Sequence, residues 1–91
     1  MNRYASLGKR DANDKEVFDA LAAAGCDPER FTDFDIAAKH IDGHGLMIEV
    51  KVPGQERALK PLQRRLRDIF GDRYIVASSA EAALRALGRI A

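Results

Sequence analysis

Leu46-Met47-Ile48-Glu49-Val50-Lys51-Val52 alternates strictly, with Leu46, Ile48, Val50 and Val52 on one side and Met47, Glu49 and Lys51 on the other. Successive side chains of an extended chain point to opposite faces, so a period of two predicts a strand with one apolar face. A polar second face is ordinary, because sheets are commonly wet on one side. A wet face does not call for an acid and a base side by side, next to a thioether, in so apolar a segment. A charge taken out of water must be paired or bound to a metal. Glu49 and Lys51 therefore read in two ways, as a solvated pair or as the Glu-x-Lys of a metal-and-phosphate site. The surrounding segments decide between them.

Working backwards, Asp42-Gly43-His44-Gly45 is a hairpin signal, since glycine supplies the positive φ of tight turns. His40 and His44 lie at and in that turn, where solvated histidines are the expectation. Phe34 to His40 reads as a second strand, with Phe34, Ile36 and Ala38 on one face and Asp35, Ala37 and Lys39 on the other. The hairpin makes the two strands antiparallel neighbours. With their apolar faces aligned, Asp35 shares the polar face with Glu49 and Lys51. Before them, Asp27-Pro28-Glu29-Arg30 has turn chemistry, and Pro28 argues against anything more than a short edge strand. Asp11 to Gly25 reads as a helix with Val17, Leu21 and Ala24 as its buried stripe. Asn13 can cap it and Glu16 completes the capping-box spacing. Glu16 either closes that cap or reaches inward towards the sheet. Residues 1–10 read as a flexible lead-in, in which Lys9 and Arg10 are candidates for a phosphate contact.

Working forwards, Val52-Pro53-Gly54-Gln55 stops the strand. A helix follows from about Lys60 to Phe70, with Pro61 in its first turn and Gly71 as its stop. Leu59, Leu62, Leu66, Ile69 and Phe70 are its expected buried row; Gln63 borders that row, and Arg64, Arg65 and Arg67 cover the rest. Tyr74-Ile75-Val76-Ala77 reads as a short strand buried on both faces. Ser78 and Glu81 are the expected caps of a last helix packed through Ala82, Leu84, Ala86 and Leu87 and ended by Gly88. The order predicts one α/β domain over residues 11–91, helix-strand-strand-helix-strand-helix, with room for one extra short strand after the first helix. The step from the Leu46 strand to the Tyr74 strand is a parallel crossover, right-handed by default.

Composition agrees with a soluble globular chain: 91 residues, 46% hydrophobic, 32% charged, net charge +1. Such a length suits a single small core. No apolar run approaches the roughly 20 residues of a membrane span, and Met1-Asn2-Arg3-Tyr4 does not read as a signal peptide. A lone cysteine, Cys26, excludes an intrachain disulfide and favours a reducing, cytoplasmic setting. The charge is uneven, however. Between Arg57 and Arg73 six cations (Arg57, Lys60, Arg64, Arg65, Arg67, Arg73) face two acids, Asp68 and Asp72, a surplus suited to phosphate when several share a surface.

Taken together, Asp35, Glu49-Val50-Lys51 and the helices around them resemble the PD-(D/E)xK nuclease superfamily, and within it the small stand-alone VRR-NUC domains of phage and bacteria. The resemblance runs from about Asp11 to Leu87. Asp11-Ala12-Asn13-Asp14-Lys15-Glu16 is similar to the family's opening helix, in which an acid at the position of Glu16 completes the site. Phe34-Asp35-Ile36 stands where the family has Pro-Asp-Leu, and Asp33 is an alternative, worse-spaced aspartate. Thirteen residues separate Asp35 from the matching Glu49-Val50-Lys51. Leu59-Lys60-Pro61-Leu62-Gln63 resembles the family's Leu-Thr-x-x-Gln, with Lys60 in place of the capping threonine. Tyr74 to Ala82 resembles the closing strand and helix.

The resemblance implies a restriction-endonuclease-like core, a mixed sheet flanked by helices, and metal-dependent hydrolysis of DNA phosphodiesters. It implies Asp35, Glu49 and the Val50 carbonyl as ligands of Mg²⁺ or Mn²⁺, with Glu16 as a further ligand, and Lys51 and Gln63 as catalytic partners. Lys9, Arg10, Arg64 and Arg67 become candidates for backbone phosphates, whose contacts give salt-dependent affinity. It further implies a homodimer acting on branched DNA such as a four-way junction, in a bacterial or phage-infected cell. Two other classes compete: a catalytically inactive relative that binds DNA or inhibits another enzyme, and an interaction module in which Glu49 and Lys51 only pair on a wet face.

Overall fold

A computed structural model describes residues 13–32 and 34–91. Its elements are α1 (Asp14–Ala23), β1 (Glu29–Arg30), β2 (Ile36–Lys39), β3 (Gly45–Val50), α2 (Pro61–Phe70), a 3₁₀ turn (Gly71–Arg73), β4 (Tyr74–Ala77) and α3 (Ala80–Ala86). The strands form one mixed sheet in the order β1-β2-β3-β4. β1 and β2 are antiparallel, β2 and β3 are antiparallel, and β3 and β4 are parallel. The expected element order is therefore present, extra edge strand included. No helix among the described residues is long and apolar enough to cross a membrane.

The alternation of β3 sets the register. Ile36 lies opposite Ile48 and Ala38 opposite Leu46, while Ile48 neighbours Ile75 and Val50 neighbours Ala77. Paired residues share a face, so these side chains make one apolar surface. Val17 and Leu21 of α1, Cys26, and Ala83 and Leu87 at the end of α3 complete the core over it. Full burial of a Leu, Ile or Val contributes roughly 1.5–3 kcal/mol; Leu21, Ile36, Ile48 and Leu87 are all completely enclosed.

The opposite face carries Met47, Glu49, Tyr74 and Val76 in register. α2 packs at this end of the sheet, against β4 and the 3₁₀ turn. Of its expected buried row, Leu59 just ahead of the helix is enclosed, but Leu62, Ile69 and Phe70 are 51%, 58% and 43% exposed. β4 is the last strand of the sheet, and no further element among the described residues lies over that row. Amphipathic spacing identifies the apolar side of a helix but not whether anything covers it.

Two helix caps also differ from expectation. Asn13 does not cap α1; its Nδ2 donates to the carbonyls of Lys51 (3.2 Å) and Ser78 (2.8 Å) instead. α3 is capped by Ser79 rather than Ser78, its Oγ accepting the Ala82 N–H at 3.0 Å. Glu81 pairs with Arg85 one turn on, at 2.7 Å, instead of closing a box.

Candidate active site

Asp35 precedes β2, Glu49 is the penultimate residue of β3, and Lys51 follows that strand directly. Asp35 Oδ2 accepts the Val50 N–H at 2.7 Å. By the register of the hairpin, that N–H would otherwise bond the Phe34 carbonyl across the strands. The aspartate thus ends the ladder, which is why β2 begins at Ile36 rather than Phe34. Phe34 instead stacks on Phe31, ring centroids 4.9 Å apart.

The same arrangement brings the Asp35 carboxylate against that of Glu49, with which it hydrogen-bonds. Glu49 is 4% exposed. Its other oxygen contact is the Tyr74 hydroxyl, which donates to Oε1 at 3.0 Å. Burial is the first cause that raises the Glu49 carboxyl, followed by the hydrogen bond and the charge of Asp35; together they lift it from 4.5 to about 8. The Tyr74 bond and the positive charge of Lys51 act against the rise without reversing it. At neutral pH Glu49 therefore keeps its proton while facing Asp35. Burial and the neighbouring Glu49 push the Tyr74 hydroxyl upwards in turn, and Arg67 counters that rise by its charge. Arg67, exposed on α2, is thus near enough to Tyr74 for its charge to be felt there.

The structure joins Asp35, Glu49 and Lys51, but it places the expected helical partners differently. Gln63 uses its Oε1 to accept the Lys60 N–H at 2.8 Å, the N3 half of a capping box; the other half needs an acceptor on the cap side chain, which lysine lacks. Glu16 lies on the exposed side of α1. The buried acid of that turn is Asp14, which pairs with Arg30, whose guanidinium stacks 4.3 Å from the Phe18 ring centroid. Arg64 is exposed and folds its Nε back onto the Leu59 carbonyl at 3.0 Å. Lys9, Arg10 and the alternative aspartate, Asp33, lie outside the described residues.

Tyr74 and Asn13 are the site residues that sequence reasoning did not single out. The parallel pairing of Met47 with Tyr74 puts the tyrosine on the Glu49 face; a polar tip in an otherwise apolar strand was its one signal. Asn13 binds beside Lys51 through its amide nitrogen, while its Oδ1 is buried without a hydrogen-bond partner among the described residues. Two apposed carboxylates, with a basic side chain following, are a hard-oxygen donor set that fits Mg²⁺ or Mn²⁺. A scan against protein-family models, a search of curated proteins and a search of solved structures each find no match to this chain.

Proposed function

We propose that the chain is a metal-dependent DNA endonuclease of the VRR-NUC kind, acting in the cytoplasm on branched DNA as a homodimer. The observation that carries this reading is the pressing of the half-buried Asp35 carboxylate against the buried Glu49, with Lys51 beside them. Two carboxylates in that position are stable only with a proton or a cation between them. Asp35, Glu49 and the Val50 carbonyl would hold Mg²⁺ or Mn²⁺, which when bound supplies charge neutralisation at the phosphate and a water of lowered pKa.

The chain's own residues do the rest. Tyr74 fixes the Glu49 carboxyl through Oε1, and Asp35 is fixed by the Val50 amide, so both acids are oriented before any ligand arrives. Lys51 orients the attacking water or stabilises the negative charge that grows on the phosphate. Arg67, with Arg64 one turn earlier, offers cations to the DNA backbone. The exposed row Leu62, Ile69 and Phe70 supports the dimeric part of the reading, since a second copy of the same helix is apolar in the same places.

A second reading, an inactive DNA-binding or inhibitory relative, draws support from two placements: Gln63 is committed to a helix cap and Glu16 faces solvent. The deciding experiment incubates the protein with labelled four-way junction and linear duplex in Mg²⁺, Mn²⁺ or EDTA, beside Lys51→Ala. Metal-dependent cutting that the variant lacks is the expected result. Binding without cutting in either metal overturns it in favour of the inactive reading.

A further inference from the structure

The β2–β3 hairpin carries a second cluster of ligand-type side chains that plays no part in the reading above. His40, Asp42 and His44 each place one ligand atom within 4.8 Å of the other two. His40 Nδ1 is 3.1 Å from Asp42 Oδ1, and His44 Nδ1 contacts that same oxygen. The two rings stack with centroids 4.8 Å apart and planes 12° from parallel. We propose that these three side chains form a binding site for a transition-metal cation of the zinc class, independent of the Asp35–Glu49 pair.

The turn is held ready for this. His40 N–H donates to the His44 carbonyl at 2.9 Å and Gly43 N–H to the His40 carbonyl at 2.8 Å. Asp42 Oδ1 also accepts the His44 N–H at 3.1 Å, which orients that oxygen towards the Nδ1 edges of both rings. The hairpin is itself anchored, because Ile41 N–H donates to the Leu87 carbonyl at 2.8 Å. The His40 ring lies so near Gly88 that a Cβ there would come within 3.1 Å of Cε1 and Nε2. Ordering three ligands therefore costs little further side-chain entropy. Donors around a tetrahedral Zn²⁺, with bonds of about 2.0–2.1 Å, stand roughly 3.3–3.5 Å apart, so the metal needs small χ rotations and takes the place of the Asp42 N–H that His40 Nδ1 accepts at 3.2 Å.

The donor chemistry selects the metal class. Two imidazoles and one carboxylate suit Zn²⁺, Co²⁺, Ni²⁺ or Cu²⁺, whereas Mg²⁺ prefers oxygen ligands and keeps its waters. Three protein ligands leave a position for water, and the half-exposed turn leaves the way in open. The site is also separate from the carboxylates. Asp35 and His40 flank opposite ends of β2, five residues apart, or about 16 Å at the rise of an extended chain.

Equilibrium titration of EDTA-stripped protein with Zn²⁺, Co²⁺ and Mg²⁺ tests the site, comparing the wild type with His44→Ala, Asp42→Asn and Glu49→Gln. His44 is the choice for truncation because His40 is packed against Gly88. The proposal expects one equivalent of Zn²⁺ bound, tetrahedral-type visible absorption with Co²⁺, and no Mg²⁺ competition at the hairpin. His44→Ala and Asp42→Asn, with unaltered circular dichroism, should each weaken Zn²⁺ at least tenfold, while Glu49→Gln leaves it unchanged. Zn²⁺ affinity equal in wild type and His44→Ala overturns the proposal. So does loss of binding in Glu49→Gln alone, which would place the Zn²⁺ at the carboxylate pair.

Discussion

Replacing Glu49 by Gln should make the metal-free protein more stable at alkaline pH, although it removes a residue of the candidate active site. Gln keeps the shape, can accept the Tyr74 hydroxyl and can donate to Asp35, but it cannot ionise. The wild-type carboxyl titrates at about 8 when folded and near 4.5 when unfolded. Between those values the folded protein holds the proton that the unfolded chain has lost. Wild-type stability therefore falls as pH rises from about 4.5 to about 8, and the full cost is present above that window. At about 1.36 kcal/mol per pH unit, the interval sets a ceiling of roughly 5 kcal/mol. Urea unfolding in EDTA at pH 5, 7 and 9 measures the effect. The expected result is a wild-type midpoint that drops steadily, a variant midpoint that changes much less, and a crossing near the acid end. Added Mn²⁺ should restore the wild type at pH 9 and leave the variant where it was. Parallel pH profiles for the two proteins would refute the raised, protonated Glu49 carboxyl.

Two further substitutions probe the frame that holds the site. Arg30→Met removes the partner of the buried Asp14 carboxylate and the cation stacked on Phe18; a loss of about 3 kcal/mol by chemical denaturation is expected, and a change below about 0.5 kcal/mol would show that the pair is not formed in solution. Gly88→Ala adds a Cβ 2.7 Å from Ile41 Cγ2 at a residue with φ +74°. It should cost about 1–3 kcal/mol and lower Tm, whereas an unchanged Tm would mean that the C-terminal segment does not seat on the hairpin.

The sheet was legible because its signals are local. Alternation in Leu46–Val52 and the glycines of Asp42–Gly45 set pairing, register and face at once, and Asp35, Glu49 and Lys51 come together as a direct consequence. What was illegible depends on contacts between elements distant in the chain. Asn13 has the composition and spacing of a cap, yet two carbonyls from elsewhere in the chain claim its amide. Gln63 is drawn back to Lys60 because its Oε1 satisfies the backbone N–H left open at the start of the helix. Periodicity put Leu62, Ile69 and Phe70 on one side of α2, but burial depends on a neighbour that periodicity does not encode. Tyr74 escaped notice because its role follows from a parallel register that only the assembled sheet defines.

The bonds from Asn13 to the carbonyls of Lys51 and Ser78 span 38 and 65 positions of a 91-residue chain. They close two long loops that border the site, and loop closure must precede any reward from the contact. Glu49 meets Tyr74 across a further 25 positions. A nascent or cleaved chain lacking β4 has neither the tyrosine nor the second carbonyl, so its acids would stand unassembled however well the hairpin forms. The local pairing of β2 and β3 can arise early, whereas the full set of contacts around Glu49 is made only when β4 docks. Synthesis from the N-terminus therefore leaves the candidate site unassembled until residues 74–78 have emerged.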